Sequence, residues 1–499
     1  MHTAPLSSLS IASSLACLAL SSPLRTAASP APLVHSRQPD LGPQPGVISV
    51  PIRRRNADNL KRRDVETFKK HAANMRAKYG GVAPNEFFAA NSTNKGKKRA
   101  GTVSLTSYQD SEWYGEIDVG TPATPFSVVL DTGSSDLILA EADCSGCSSS
   151  TPGYTPSSSS TSATSSQSFS ITYGSGSASG TLVQDTVRIA NYTQTGQTFA
   201  ACNTLDNIVD GTISGILGLG WSTIASSGAT PLVQALAQAN KLPEEVFGFA
   251  FEAATGRVAH GIFFRRTHTF TTASSPTAPG GTLTIGGVDT SLYSGSINWV
   301  NIVQPAGYWA IPLGGVSVGG TELGITSDQT VIDTGTTLIG VPTSTAETVY
   351  AQIPNSQAIN LDGVSGYYAF PCSQDVNVAL TFGNVSYPIE SSQFNAGAVD
   401  SRGSLCLGAI FALETGSSSV SFIVGDAFLT GVYNAYRFSS PPAVGFATLG
   451  SGGSTTSSGS SDSTSSSSSS STSGAGSAVA KVGVSLATLV VALVGAFMV

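Results

Sequence analysis

Two aspartates in matched surroundings are the residues of this chain best suited to chemistry. Val128-Val-Leu-Asp131-Thr132-Gly133-Ser134-Ser135 is echoed 202 positions later by Thr330-Val-Ile-Asp333-Thr334-Gly335-Thr336-Thr337. One Asp-Thr-Gly is ordinary turn chemistry at a strand end. Two of them, each between apolar runs and each followed by a hydroxyl pair, indicate a duplicated unit. Two like carboxylates brought to one partly desolvated point cannot both ionise, so one keeps a proton and the other stays a base. Such a pair can take a proton from a water held between them and protonate a carbonyl oxygen, adding water to an amide without a covalent intermediate. Gly133 and Gly335 would let backbone approach a bound chain closely, and the hydroxyl residues could fix the carboxylates.

The elements that must position these loops read as β throughout. Each motif has a distant apolar-apolar-Gly partner: Gly215-Ile-Leu-Gly218, 87 positions after Asp131, and Phe422-Ile-Val-Gly425, 92 after Asp333. Phe169, Ile171 and Tyr173 alternate with polar residues, run into Gly174-Ser175-Gly176, and continue through Ala178 and Gly180, which predicts a hairpin with a small-residue tip. Helices are few. Thr230-Pro231 reads as an N-cap followed by proline at the first helical position, with Leu232 and Leu236 on one face. Positions 342–353 give the corresponding helix in the second half.

Composition removes several alternatives. Only 11% of the 499 residues are charged, against roughly 25% in an average soluble domain. The net charge of −7 hides a split. Positions 22–99 hold 16 Lys/Arg against 5 Asp/Glu, a net of +11, while positions 100–499 hold 8 against 26, a net of −18. An acidic body with so few basic side chains has no footprint for nucleic acid, and 40% hydrophobic residues can supply a core. The only histidines of the body, His260 and His268, lie in no recognisable nucleophile context. No His-Glu-x-x-His pattern occurs. Neither a metal nor a cofactor is expected.

The ends and the cysteines point to export. Positions 1–21 read as a signal peptide, with an apolar run at 6–20, no acidic residue, and Ala19 and Ser21 where a peptidase could cut. Positions 450–477 are almost wholly Ser, Gly and Thr, a flexible stalk. Positions 478–499 form an apolar tail with no basic residue after it, and Ser471, Ser473, Gly474 and Ala475 precede it. This fits a glycolipid (GPI) anchor signal, with a retained transmembrane tail as the alternative. Secretion to the cell surface is expected, a vacuolar location being the lesser alternative. Asn191-Tyr-Thr and Asn384-Val-Ser are acceptable glycosylation sites. Cys372 and Cys406 enclose 33 residues and are read as a disulfide, contributing on the order of 3–4 kcal/mol. Cys144 and Cys147 are read as a small disulfide. Cys202 is either a buried thiol or a partner for one of that pair.

At these residues the chain resembles the pepsin-like (A1) aspartic endopeptidases, of the fungal secreted, polyporopepsin-like or yapsin-like sort. The likeness covers roughly positions 108–449. Trp113-Tyr114-Gly115 and Gly120-Thr-Pro122 resemble the family's first strands, and Gly307-Tyr308-Trp309 its entry to the second lobe. The resemblance implies an all-β, bilobed fold with a cleft between lobes at 100–289 and 290–449. It implies Asp131 and Asp333 as the dyad holding the water, Thr132 and Thr334 as braces between lobes, and Ser134 and Thr336 as hydrogen-bond partners of the aspartates. Tyr173, Gly174 and Ser175 resemble the flap over bound peptide. Positions 22–99 then become a propeptide inhibiting in cis, with Lys78 of Lys78-Tyr79 between the carboxylates and Lys98-Arg99 as a dibasic processing site. The family usually reads Asn-Leu-Trp after its first motif, and here Asp136-Leu137-Ile138 removes the indole that would bond the flap tyrosine. The implied function is acid hydrolysis of peptide bonds in proteins or peptides by a monomer. A catalytically silent binding or inhibitor protein of the same fold is the alternative.

Overall fold

The computed structural model describes residues 47–55, 72–73, 75–80, 113–172, 176–206, 208, 211, 213–251, 277–361, 364–400, 402–415 and 420–450. The positions read as a signal peptide (1–21), the pair Lys98-Arg99, the residues expected at a flap tip (Tyr173, Gly174 and Ser175), and the positions read as stalk and tail (from 451 on) lie outside the described residues.

The duplication visible in the sequence is also a duplication of strand arrangement. Strand Thr124–Asp131 buries Phe126, Val128 and Leu130 and runs parallel to Gly215–Gly218, with Val128 opposite Gly215 and Asp131 opposite Gly218. Strand Leu137–Ser145 then returns antiparallel along Gly215–Gly218 and parallel to Tyr192–Asp206. The second half repeats this. Ser327–Ile332 runs parallel to Phe422–Val424, and Ile339–Val341 lies antiparallel to Phe422–Val424 and parallel to Ile410–Ala412. Each apolar-apolar-Gly element is therefore the parallel neighbour of the strand that delivers an aspartate. β-Branched and leucine side chains suit these short strands because both faces are covered.

A single thirteen-stranded sheet crosses the boundary expected at 289/290, since Thr277–Ile285, Val246–Phe251, Val432–Arg437, Ala443–Leu449 and Tyr293–Asn301 are neighbours in it. The basic segment enters that sheet too. Strand Ile48–Arg55 pairs antiparallel with Thr277–Ile285 along its whole length and touches Trp113–Val119 at Arg53↔Tyr114 and Arg54↔Trp113.

The flap hairpin is formed by Ala163–Thr172 and Ser177–Ile189, closing at Thr172↔Ser177. Both expected helices occur, each shifted at its start. The first spans Leu232–Gln238 with Pro231, not Thr230, at the N-cap, because Pro231 has an extended ψ of 146°. The second spans Thr343–Ala351 with Pro342 at the N-cap, likewise extended, and the Glu414 carboxylate accepts a hydrogen bond from the Thr343 amide at 3.1 Å. Disulfides join Cys144 to Cys147 and Cys372 to Cys406. Cys202 is a buried free thiol, with burial pushing its pKa up to about 12.

Candidate active site

Asp131 ends strand Thr124–Asp131 and Asp333 follows Ser327–Ile332, so the two strand arrangements aim their carboxylates at one another. The loops meet as a reciprocal clasp. The Thr132 amide donates to Thr334 Oγ1 and the Thr334 amide to Thr132 Oγ1, both at 3.0 Å. Each hydroxyl passes its own proton across to the opposite strand, Thr132 to Ile332 O at 2.9 Å and Thr334 to Leu130 O at 2.7 Å. Both threonines are buried, so four charge-neutral hydrogen bonds hold the loops in a dry setting. The approach is close enough to exclude any side chain at the glycines. A Cβ on Gly133 would lie 2.4 Å from Asp333 Oδ1, and one on Gly335 2.2 Å from Asp131 Oδ1.

The two carboxylates are held differently. Asp131 accepts from the Gly133 amide at 2.9 Å and from Ser134 Oγ at 2.5 Å. Asp333 accepts from the Gly335 amide at 2.9 Å, whereas Thr336 Oγ1 turns to the Asp333 main-chain carbonyl at 3.3 Å. Of the two hydroxyls expected at the carboxylates, the structure places Ser134 Oγ on one and Thr336 Oγ1 on a main-chain carbonyl. At Asp333 the oxygen Oδ2 is taken by Tyr79, whose hydroxyl donates to it at 2.8 Å.

Lys78 sits between the two. Its Nζ lies 2.7 Å from Asp131 Oδ1 and 3.1 Å from both oxygens of Asp333. Its side chain is 11% exposed, against 7% and 0% for the aspartates. Tyr79, the next residue, stacks at a tilt on Tyr308, with ring centroids 5.2 Å apart. The Lys78-Tyr79 pair was legible as a motif. The Tyr79 bond to Asp333 was not, because nothing in the dipeptide says which oxygen its hydroxyl will reach.

Burial pushes the Asp131 carboxyl up, but the Lys78 ammonium and hydrogen bonds from Asp333, Lys78 and Ser134 outweigh it and leave it below the usual aspartate value. Burial also pushes Asp333 up. Lys78 opposes this, but the Asp131 charge adds to it, and Asp333 ends at about 6. Burial alone would lower Lys78, yet the two aspartates hold its pKa above the ordinary lysine value. Asp131 therefore gives up its proton before Asp333, and the Lys78 cation bridges the two.

Other expected sites fall as follows. Asn191 and Asn384 are exposed in turns, as glycosylation would require. Ile138 is fully buried beside Tyr114, Phe169 and Leu182, so its side chain fills the space beneath the flap hairpin.

Residues 112–269 and 266–449 match the family model described as eukaryotic aspartyl protease. The chain belongs to that family. Over 370 residues it is 40% identical to major aspartyl peptidase 1 of Cryptococcus neoformans var. grubii, covering 72% of this chain and 73% of the relative. It is 34% identical to an aspartic protease of Phaffia rhodozyma over 413 residues, covering 81% and 91%. It is 31% identical to pepsin A of Sus scrofa over 341 residues, covering 67% and 81%. The protein is accordingly a pepsin-like aspartic endopeptidase, and its substrates are peptide bonds.

Proposed function

We propose that Asp131 and Asp333 are the catalytic pair and that the chain is made as a zymogen whose basic segment inhibits it in cis. The observation that carries this reading is the Lys78 ammonium, which lies within 3.1 Å of both carboxylates, where an attacking water would have to sit. Once the segment leaves, water takes that place. Asp131, stabilised as an anion by Ser134 and Gly133, accepts the water's proton as the oxygen bonds to the scissile carbon. Asp333 gives its proton to the carbonyl oxygen. The tetrahedral diol then breaks its C–N bond as the nitrogen is protonated, and the pair is restored. The threonine clasp fixes the geometry, so little reorganisation is needed at the moment of reaction.

Acid serves both steps. Lys78 lowers the pKa of each aspartate, so docking of the segment and proton uptake by the pair oppose each other. A group whose pKa is depressed by docking supports docking above its undocked pKa, and that support is lost as pH falls through the docked value. For Asp333 the docked value is about 6, so the grip on Lys78 weakens first as pH falls toward that value, and further when Asp131 protonates.

The remaining features support a secreted monomer cut after Lys98-Arg99, glycosylated at Asn191 and Asn384, and held at the cell surface by a glycolipid anchor. Tyr173, Gly174 and Ser175 would contact the bound peptide. Acidified full-length protein should cleave a protein substrate in a manner blocked by a statin-type transition-state mimic, and Asp333→Asn should lower kcat by at least about 100-fold. Mimic-insensitive cleavage, or an active Asp333→Asn variant, would remove the assignment.

A further inference from the structure

The helical residues leading to Lys78 bury a second cation, and its partners are aromatic rings. Ala72, Met75, Arg76 and Tyr79 fall at i, i+3, i+4 and i+7, one face of the helix, and all four are buried. Tyr79 goes to Asp333, and Met75 packs on Gly340. The Arg76 guanidinium carbon lies 5.4 Å from the centre of the Tyr367 ring and 5.3 Å from that of Phe411. These rings are 5.9 Å apart and 19° from parallel. Arg76 Nη1 donates to the Tyr367 hydroxyl at 3.3 Å, while Nε and Nη2 have no partner. Among the described residues no carboxylate pairs with Arg76.

The slot belongs to the cleft. Phe411 stands opposite Gly340 in the parallel pair Ile339–Val341 and Ile410–Ala412, and Gly340 is seven positions beyond Asp333 on the chain that leaves the Asp-Thr-Gly loop. Removal of the inhibitory segment empties the slot on the same side of the cleft as Asp333. A pocket that accepts a guanidinium over two ring faces favours a cation locally.

We propose that Tyr367 and Phe411 form a substrate subsite for an arginine side chain. The mature enzyme then prefers peptides that carry arginine at one fixed position from the scissile bond. This rests on the reading that the segment carrying Arg76 is removed on maturation. Because the cation is held by rings and one hydroxyl, and not by a carboxylate, the preference is insensitive to salt and does not fade where carboxylates protonate.

The test uses the matured enzyme and peptide sets in which each position around the scissile bond carries arginine, lysine, leucine or norleucine in turn. One position should favour arginine over norleucine by about tenfold in kcat/KM, equally at low and high salt. Phe411→Leu should bring that ratio close to one. Tyr367→Phe, which keeps the ring, should retain most of the preference and serves if Phe411→Leu does not fold. Cleavage with no arginine preference at any position overturns the subsite and leaves the peptidase reading intact. A preference that collapses in high salt and survives Phe411→Leu also overturns it, by assigning the cation to a carboxylate. No cleavage of any peptide rejects the peptidase reading itself.

Discussion

Replacing Lys78 by methionine keeps the length of the side chain and removes the charge from between the two aspartates. The ammonium and both carboxylates are almost wholly out of solvent, so water cannot replace the lost partner. Removing one member of a buried ion pair costs roughly 3–5 kcal/mol. The lower end applies, because Asp333 is pushed up to about 6 and is largely neutral in mild acid, leaving one carboxylate to strand. A loss of about 3 kcal/mol lowers the docked-to-undocked ratio of the segment by about a hundredfold. The assay is hydrolysis of a quenched fluorescent peptide by uncleaved full-length chain at about pH 5, read in the first seconds before processing. The variant should show early activity about a hundredfold above wild type. Since Lys78 lowers Asp333, the variant's Asp333 should also titrate higher, shifting the onset of self-processing to higher pH. A Lys78→Met chain as silent as wild type, with the same onset of processing, would refute the argument that charge between the carboxylates holds the segment down.

Thr334→Val keeps the shape of a buried side chain but leaves the Thr132 amide and the Leu130 carbonyl without their partner. It should cost about 1–3 kcal/mol per stranded group, seen as a lowered Tm, with Thr334→Ser close to wild type. Cys406→Ala opens the loop closed with Cys372 and should cost roughly 3–4 kcal/mol, measured by denaturant unfolding against the disulfide-bonded wild type. Ile138→Trp forces an indole into a fully buried site, so overpacking should cost about 1–3 kcal/mol without raising kcat/KM. A higher kcat/KM with unchanged Tm would mean that the indole finds room and steadies the flap.

What could be read from the sequence was whatever a local pattern forces. The two Asp-Thr-Gly motifs carry their own strand-loop-strand signature. The glycines at 133 and 335 follow from the same local logic, since a loop that must approach another backbone closely leaves no room for a Cβ. The partners Gly215–Gly218 and Phe422–Val424 were visible as elements, but their parallel pairing with Thr124–Asp131 and Ser327–Ile332 was not. Parallel neighbours distant in sequence leave no local register signal. Thr336 illustrates the same limit at the scale of one bond. By analogy with Ser134 it would serve a carboxylate, yet it bonds a main-chain carbonyl, and the hydroxyl that reaches Asp333 Oδ2 comes from Tyr79, more than 250 positions away. Arg76 looked like one more charge in a basic run. Only its ring partners, contributed by strands nearly 300 and more than 330 positions later, distinguish it from a solvated side chain.

The charge split between positions 22–99 and the rest suggests an inhibitor held by simple attraction, and the contacts qualify that. The segment grips at two places governed by different physics. In the cleft, Lys78 answers two titrating carboxylates, and this part of the grip weakens with acid. In the central sheet, Ile48–Arg55 pairs backbone to backbone with Thr277–Ile285 and buries Ile52, interactions between groups that do not titrate. Acid therefore loosens the cleft while the strand stays paired. On the zymogen reading, the active site opens before the segment is lost, and cutting the chain between the two grips and Trp113 makes the opening permanent.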